Sequence, residues 1–256
     1  MYTPYLDAAL LIWAYMTLLF FLALIRRDNS IVDIAWGLGF TILAWWMHFM
    51  YPHVWSILPT VLISMWGIRL ALYIGIRNTR SKREDWRYAN WRRAWGKWLI
   101  PRSYFQVFML QGFFMWLISF SFLQRPAHPK LEWFQWIGIL FWTVGFLWEA
   151  VGDWQLSRFK SDPVNQGKVM NKGLWQLSRH PNYFGEVVLW WGMWLITISY
   201  GQWWISLISP VTITWLLMRV SGVPMLERKY KDNPEYQAYI KKTPAFFPDL
   251  SKWRKN

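Results

Sequence analysis

Ser178-Arg-His-Pro-Asn-Tyr-Phe-Gly-Glu186 runs directly into Val187-Val-Leu-Trp-Trp-Gly-Met-Trp-Leu-Ile196, and this junction decides the fold. Four side chains of the first stretch can bind charge or hydrogen-bond a ligand: Arg179, His180, Asn182 and Glu186. The ten residues that follow have the apolar character of a membrane-spanning helix. Ionisable groups are costly to place at the edge of a bilayer, so such a cluster indicates a functional site by default. The junction predicts a polar ligand held at the mouth of a bundle of membrane helices.

The composition is that of a membrane protein with a strongly basic charge. Of 256 residues, 55% are hydrophobic and 24 are tryptophan, whose ring favours the membrane–water interface. There are 28 Lys and Arg against 14 Asp and Glu. In a soluble protein this balance would suggest nucleic-acid binding, but the basic residues lie between long apolar runs, so we expect a membrane surface and no nucleic acid. The lack of cysteine excludes thiolate chemistry, and the four histidines are too scattered to suggest a metal site.

Apolar runs long enough to cross a bilayer recur along the whole chain. A spanning helix needs roughly 20 mostly apolar residues. Seven runs meet this requirement, and the turn Tyr200-Gly-Gln202 separates the last two. They cover residues 6–25, 31–50, 54–76, 104–123, 132–156, 184–199 and 203–220. The sequence therefore predicts an all-α fold: one polytopic membrane domain over residues 1–256, with about seven transmembrane helices.

The basic residues alternate between the two sides of this predicted bundle. Residues 77–103 carry nine Lys and Arg, residues 157–183 carry five, and the tail from Arg219 carries nine. The turns at 50–53 and 200–202 carry none. Because cytoplasmic loops are enriched in Lys and Arg, this alternation predicts an outside N-terminus and a cytoplasmic C-terminus. The first residues lack the positive region of a signal peptide, and with the short outer turns this favours a bacterial inner membrane.

Three arginines near the end of the third span are candidates for binding phosphate. Arg69 lies within the apolar run, and Arg77 and Arg80 follow two and three turns later, so all three could line one cytoplasmic rim. Guanidinium groups suit phosphates because they donate paired hydrogen bonds. The alternative is that Arg69 extends its charged end to the membrane surface while its stem stays in the apolar layer.

Carboxylates inside the predicted spans are the other candidates. Glu149 and Asp153 are four residues apart and share one helix face. They could pair with Arg158, or they could accept hydrogen bonds from the hydroxyl or amide groups of a ligand. Asp33 begins the second span, where it could cap the helix or act as an acid that polarises a carbonyl group.

These motifs together resemble the steroid 5α-reductase family, in particular its bacterial branch known as the DUF1295 proteins, over nearly the whole chain. The motifs are Asp33-Ile-Ala-Trp-Gly37, Arg69-Leu-Ala-Leu-Tyr-Ile74, Asp153-Trp-Gln155, Asn171-Lys-Gly-Leu-Trp175, the Ser178–Glu186 stretch, Leu226-Glu227 and Tyr236 to Pro248. Strings similar to Arg179–Glu186 also occur in sterol reductases and in isoprenylcysteine and phospholipid methyltransferases. Those relatives bind either NADPH or S-adenosylmethionine.

The resemblance implies a seven-helix bundle that holds NADPH on its cytoplasmic side, where residues 77–103, 157–183 and 221–256 would complete the nucleotide site. The residues implied for cofactor binding are Arg69, Arg80, Asp153, Lys168, Arg179, His180, Asn182, Glu186 and Arg219. The family's acidic pair falls on Val32-Asp33, and its catalytic tyrosine falls on Trp66. Asp33 is therefore the expected catalytic acid, and Tyr73, one turn beyond Arg69, is the second choice.

The expected activity is NADPH-dependent reduction of a carbon–carbon double bond conjugated to a carbonyl group, in a lipophilic substrate taken from the membrane. The phosphates of NADPH would account for the basic residues. The alternative is a membrane methyltransferase that uses S-adenosylmethionine, which carries no phosphate. A non-catalytic lipid-binding protein is a third possibility, but it leaves the charged groups inside the spans without a role.

Overall fold

The computed structural model describes residues 3–52, 56–81, 84–124, 132–200 and 202–255, without the side chains of residues 3, 80, 81, 254 and 255. All regular structure in this part of the chain is helical. The main helices are α1 (Thr3–Arg26), α2 (Ile31–Met50), α3 (Ile57–Ser81), α4 (Trp86–Trp95), α5 (Leu99–Arg102), α6 (Leu110–Ile118), α7 (Trp133–Ser161), α8 (Leu174–Leu177), α9 (Pro181–Thr197), α10 (Trp203–Ser206), α11 (Ile208–Trp215), α12 (Val223–Lys229) and α13 (Pro234–Lys242). The predicted all-α class is confirmed.

Six helical segments of the described residues are long and apolar enough to cross a membrane, which indicates an integral membrane protein. They are Pro4–Arg26, Ile31–Met50, Ile57–Thr79, Trp86–Ser121, Trp133–Ser161 and Trp203–Lys229. The predicted span at 184–199 corresponds to α9, which has 17 residues and is shorter than each of the six segments. At 1.5 Å per residue α9 is about 26 Å long, slightly less than a hydrocarbon core. The total of seven spans and the orientation of the termini stay predictions.

The fourth segment begins earlier than predicted, because α4, a 3₁₀ turn at Gly96–Trp98 and α5 precede the predicted start at residue 104. After α5 the backbone is π-helical over Ser103–Met109, and a 3₁₀ turn at Ser119–Ser121 ends the segment. A second π-helical stretch, Leu216–Val220, follows α11. Such wide turns re-aim side chains and are frequent at functional sites.

The described chain divides into two compact units. The first unit comprises residues 1–131 and 197–209, and the second comprises residues 132–196 and 210–256. The expectation of one membrane domain stays a prediction.

In the first unit α2 and α3 pack with their backbones in contact. Gly37 and Gly67 face each other, and a Cβ on either would collide with the carbonyl group of the other. Next to this contact, the buried rings of Phe40 and Trp66 meet edge to face at 5.5 Å. Close approach of two helices through glycine is common in membranes, where dispersion packing drives helix association.

In the second unit α7 and α9 pack along a glycine seam that repeats every seven residues. Gly138 and Gly145 of α7 face Gly192 and Gly185 of α9. A Cβ on Gly138 would lie 2.8 Å from the carbonyl oxygen of Gly192, and one on Gly145 would lie 2.6 Å from that of Gly185. The seam brings the face of α7 that carries Glu149 against the start of α9.

Candidate functional site

The second unit encloses a cluster of ionisable side chains where α7 meets the start of α9. Glu149 and Asp153 are each only 2% exposed, and His180 is also 2% exposed. Arg179 and Glu186 are each 8% exposed. Charged groups are seldom buried this deeply without partners or a ligand. The structure therefore brings together five residues that the sequence singled out.

Asp153 and Asn182 form the centre of this cluster. The Asn182 side-chain amide donates a hydrogen bond of 3.1 Å to the Asp153 carboxylate. Gly152 lies beside Pro181 and the backbone of Asn182, where a Cβ would be in ordinary van der Waals contact, the nearest atom being Asn182 N at 3.4 Å. The other end of the Asn182 amide, Oδ1, is shielded from solvent and accepts no hydrogen bond in the described part of the protein. A shielded acceptor of this kind suits a ligand that donates a hydrogen bond.

His180 lies beside this pair with its ring stacked on Tyr183, the planes 7° apart and the centroids 5.5 Å apart. Its Nε2 is 3.5 Å from the Glu227 carboxylate and makes no hydrogen bond within the described residues. Its Nδ1 is buried and has no hydrogen-bond partner among the described residues. Burial lowers the pKa of His180 more than Glu227 raises it, so the ring is neutral at neutral pH.

Arg179 joins this unit's C-terminal segment to the cluster. Its guanidinium donates to the Glu227 carboxylate from Nε at 2.9 Å and from Nη2 at 2.5 Å. Nη1 donates to the backbone carbonyl oxygen of Thr243 at 2.5 Å, and the Arg179 backbone N–H donates to that of Pro244 at 2.9 Å. The sequence analysis missed this anchoring role, because Arg179 and Glu227 are 48 residues apart. A role of Arg179 in cofactor binding stays a prediction.

Two of the predicted basic ligands lie on the surface of the second unit. Lys168 and Arg219 are exposed, Lys168 after the 3₁₀ turn Pro163–Asn165 and Arg219 in the π-helical stretch. The structure does not bring them into the buried cluster. Arg158 is exposed as well, and its guanidinium lies over the Trp154 ring at 5.5 Å.

The first unit holds the predicted acid Asp33 in an ion pair. Its carboxylate accepts a hydrogen bond from the Arg87 guanidinium and a second, of 2.6 Å, from the Tyr88 hydroxyl. Gln111 in turn donates to the Tyr88 oxygen at 3.3 Å. The N-cap residue of α2 is Ser30 and not Asp33. The Asp33 side chain instead bonds to Arg87 and Tyr88. Arg87 and Tyr88 were not predicted, because they lie 54 and 55 residues from Asp33.

The segment around Arg87 is held by further polar contacts within the first unit. Arg87 Nε donates to Asp85 at 2.8 Å, and the Asp85 backbone N–H donates to the Ser30 hydroxyl at 2.9 Å. Burial raises the pKa of Asp85, but its contacts with Arg87 outweigh this and leave the pKa lowered. The Asp33–Arg87 pair is therefore fixed from both sides by contacts within the first unit.

Arg69 and Tyr73 lie one turn apart on α3, and both are half-buried. The Nε atom of Arg69 is shielded from solvent. Arg80 is at the end of α3, and its side chain lies outside the described residues. Roles for these three residues in binding or catalysis stay predictions. In the described ranges, no three His, Asp or Glu side chains gather as metal ligands.

The fold and the buried polar cluster define an all-helical integral membrane protein that encloses ionisable groups at the end of its helices. The chain matches the family described as "Protein of unknown function (DUF1295)" over residues 19–243, so it belongs to this family. It is also similar to a protein of Schizosaccharomyces pombe described as uncharacterized, with 25% identity over 282 residues that cover 96% of this chain and 80% of the relative. No solved structure matches the chain.

Proposed function

We propose that this protein is a membrane reductase that uses NADPH to reduce a carbon–carbon double bond conjugated to a carbonyl group in a lipophilic substrate. The resemblance of its motifs to steroid 5α-reductases supports this function. The observation that carries the proposal is the shielded Oδ1 of Asn182 next to Asp153, with the neutral, unpaired Nδ1 of His180 close by in the sequence. An unsatisfied buried acceptor costs about 1–3 kcal/mol, which a bound ligand would recover.

The buried cluster suits the uncharged parts of a dinucleotide. Asn182 Oδ1 and Asp153 can accept hydrogen bonds from a carboxamide or from ribose hydroxyls, and a neutral His180 can donate or accept one. The phosphates require cations, which the exposed Lys168 and Arg219 can supply at the surface of the same unit. The bound cofactor would supply the hydride. The protein's own residues would orient it and keep water away.

In the first unit we assign proton donation to Tyr73 and a supporting role to Asp33. Asp33 was the first choice, but its carboxylate is already engaged by the Arg87 guanidinium and the Tyr88 hydroxyl, so it is not available to a substrate carbonyl group. Tyr73 is a half-buried phenol, and a phenol hydroxyl is a hydrogen-bond donor. Its hydroxyl can donate to a carbonyl oxygen as charge develops there.

The buried carboxylates favour a second candidate, an S-adenosylmethionine-dependent methyltransferase. Glu149, Asp153 and Glu186 are buried together with Arg179, whose guanidinium is neutralised by Glu227. A cationic sulfonium would be stabilised near such carboxylates. The two candidates therefore predict different ligands for one cluster.

Ligand-induced stabilisation of the purified protein distinguishes the two candidates. A ligand that binds only the folded state raises the thermal midpoint by mass action, so NADPH should raise it and S-adenosylmethionine should not. The Asn182→Ala variant should lose roughly tenfold or more in NADPH affinity, as expected when a buried hydrogen bond is lost. Asn90→Ala, at an exposed asparagine of the first unit, is the matched control. Stabilisation by S-adenosylmethionine alone would refute the reductase proposal.

A further inference from the structure

A cleft of about 540 Å³ opens on the surface of the second unit, where α7 ends and the chain turns back towards α8. Trp154, Arg158 and Asp162 line one side of it, and Asn165, Lys172 and Gly173 line the other. The volume lies within the range of small-molecule sites. The cleft does not include the buried cluster of Asp153, His180 and Asn182.

Hydrogen bonds fix the walls of this cleft. The Asn165 side chain donates to the backbone carbonyl oxygen of Phe159 at 3.1 Å, and the Leu174 backbone N–H donates to the Gln155 side chain at 2.9 Å. Gly173 adopts a positive φ of 60° and sits against Gln155, so the turn depends on glycine. The cleft is therefore a formed feature of the fold.

The cleft carries two cations that the protein does not neutralise. Within the residues that the structure describes, neither Arg158 nor Lys172 forms an ion pair. The nearby carboxylate, Asp162, is engaged by the Val164 backbone N–H at 2.9 Å. Two cationic side chains against this one carboxylate leave the lining with a formal charge of +1 (2 − 1), which favours an anion, and Arg158 lies over the indole ring of Trp154 at 5.5 Å.

An exposed apolar stripe on α7 leads from the middle of the membrane to this cleft. Its members are Leu140, Val144, Leu147, Val151 and Trp154, which are 59%, 45%, 55%, 39% and 56% exposed. Their spacing of three and four residues places them on one helix face. The 29 residues of α7 extend for about 43 Å, which exceeds a hydrocarbon core of about 30 Å, so one end of the helix reaches the headgroup layer. Trp154 and Arg158 are typical of that layer.

We propose that the cleft binds the headgroup of an anionic phospholipid whose acyl chains lie along the stripe on α7. Arg158 and Lys172 would contact the lipid phosphate, and Trp154 would lie at the level of the ester groups. A free anion would use the cations but not the stripe. This site is independent of the proposed nucleotide function, because it uses none of the buried cluster.

The test compares phosphatidylglycerol with phosphatidylcholine of the same acyl chains, each added to the full-length protein in an uncharged detergent. Phosphatidylglycerol should raise the thermal midpoint by about 2–4 °C more than phosphatidylcholine, and native mass spectrometry should retain it. The double variant Arg158→Gln/Lys172→Gln should lose this difference. Arg158→Lys should retain most of it, which separates loss of charge from misfolding.

The matched control is Lys241→Gln/Lys242→Gln, which removes two exposed positive charges from the same unit outside the cleft. An equal loss in both double variants would show unspecific attraction to anionic lipid and would overturn the proposal. Full competition by glycerol 3-phosphate would overturn it as well, since the stripe would then contribute nothing. If the cleft variant lost NADPH binding but kept its preference for phosphatidylglycerol, the cleft would belong to the nucleotide instead.

Discussion

At the scale of single residues, the second unit buries more polar groups than its own contacts satisfy. Among the described residues, the Asn182 amide N–H donates to Asp153 while its Oδ1 has no partner, and neither ring nitrogen of His180 forms a hydrogen bond. These two residues follow Arg179, whose donors are taken by Glu227 and Thr243. Neighbouring positions of one motif thus differ: Arg179 anchors the fold, whereas His180 and Asn182 keep polar atoms unsatisfied among the described residues, and residue type alone did not indicate this difference.

His180 should make the stability of the protein depend on pH. Burial lowers its pKa below the ordinary value of 6.5, so below that pH the unfolded chain binds a proton that the folded protein resists. Stability should therefore fall as the pH drops from about 7.5 to about 5.5. Thermal midpoints across this range should decline less steeply for His180→Gln, with His48→Gln as the control. A slope that is the same in both variants would contradict the prediction.

At the scale of elements, the glycine seam between α7 and α9 sets the position of the cluster. Helices that meet through Gly145 and Gly185 approach more closely than larger side chains allow. The heptad spacing of Gly138 and Gly145 is visible in the sequence, but nothing in the sequence indicated which helix they would face. The π-helical stretch that carries Arg219 was likewise invisible, because an extra residue in a turn leaves no mark in hydropathy.

Gly145→Ala should destabilise the second unit by about 1–3 kcal/mol, because the new methyl group would meet backbone atoms that cannot rotate away. Its Cβ would lie 2.6 Å from the Gly185 carbonyl oxygen and 2.9 Å from the Cα of Leu189. The thermal midpoint reports this change. Gly152→Ala in the same helix is the matched control, because a Cβ there would lie no closer than 3.4 Å to its neighbours. A seam variant as stable as the wild type would show that the helices can move apart freely.

At the scale of the whole molecule, the sequence predicted the class of fold from its apolar runs, because hydrophobic length reports directly on the bilayer. The predicted starts of the second and third spans lie within three residues of α2 and α3. Contacts between distant residues were beyond such reasoning. The partners of Asp33 lie in a basic aromatic segment, and the glutamate that binds Arg179 lies in the tail. That these side chains contact their partners is visible only in the three-dimensional structure.

The absence of cysteine allows a direct test of the predicted orientation. Single cysteines at Gln202 and Ser251 should react from opposite sides of the membrane, because the positive-inside rule places the first outside and the second in the cytoplasm. A membrane-impermeant maleimide applied to intact cells should label Gln202→Cys only. Labelling of Ser251→Cys alone in intact cells would show that the orientation is the reverse of the predicted one. Labelling of both variants would show that the predicted number of spans is wrong.

The hydrogen bonds that join Arg179 to Glu227, Thr243 and Pro244 also constrain the order in which the chain can fold. Glu227, Thr243 and Pro244 leave the ribosome after all the residues of α7 and α9. Until they arrive, the guanidinium of Arg179 has no counter-ion, and the backbone that leads into His180 lacks its support. The backbone around Arg179 can therefore reach its final conformation only after the residues up to Pro244 have been synthesised.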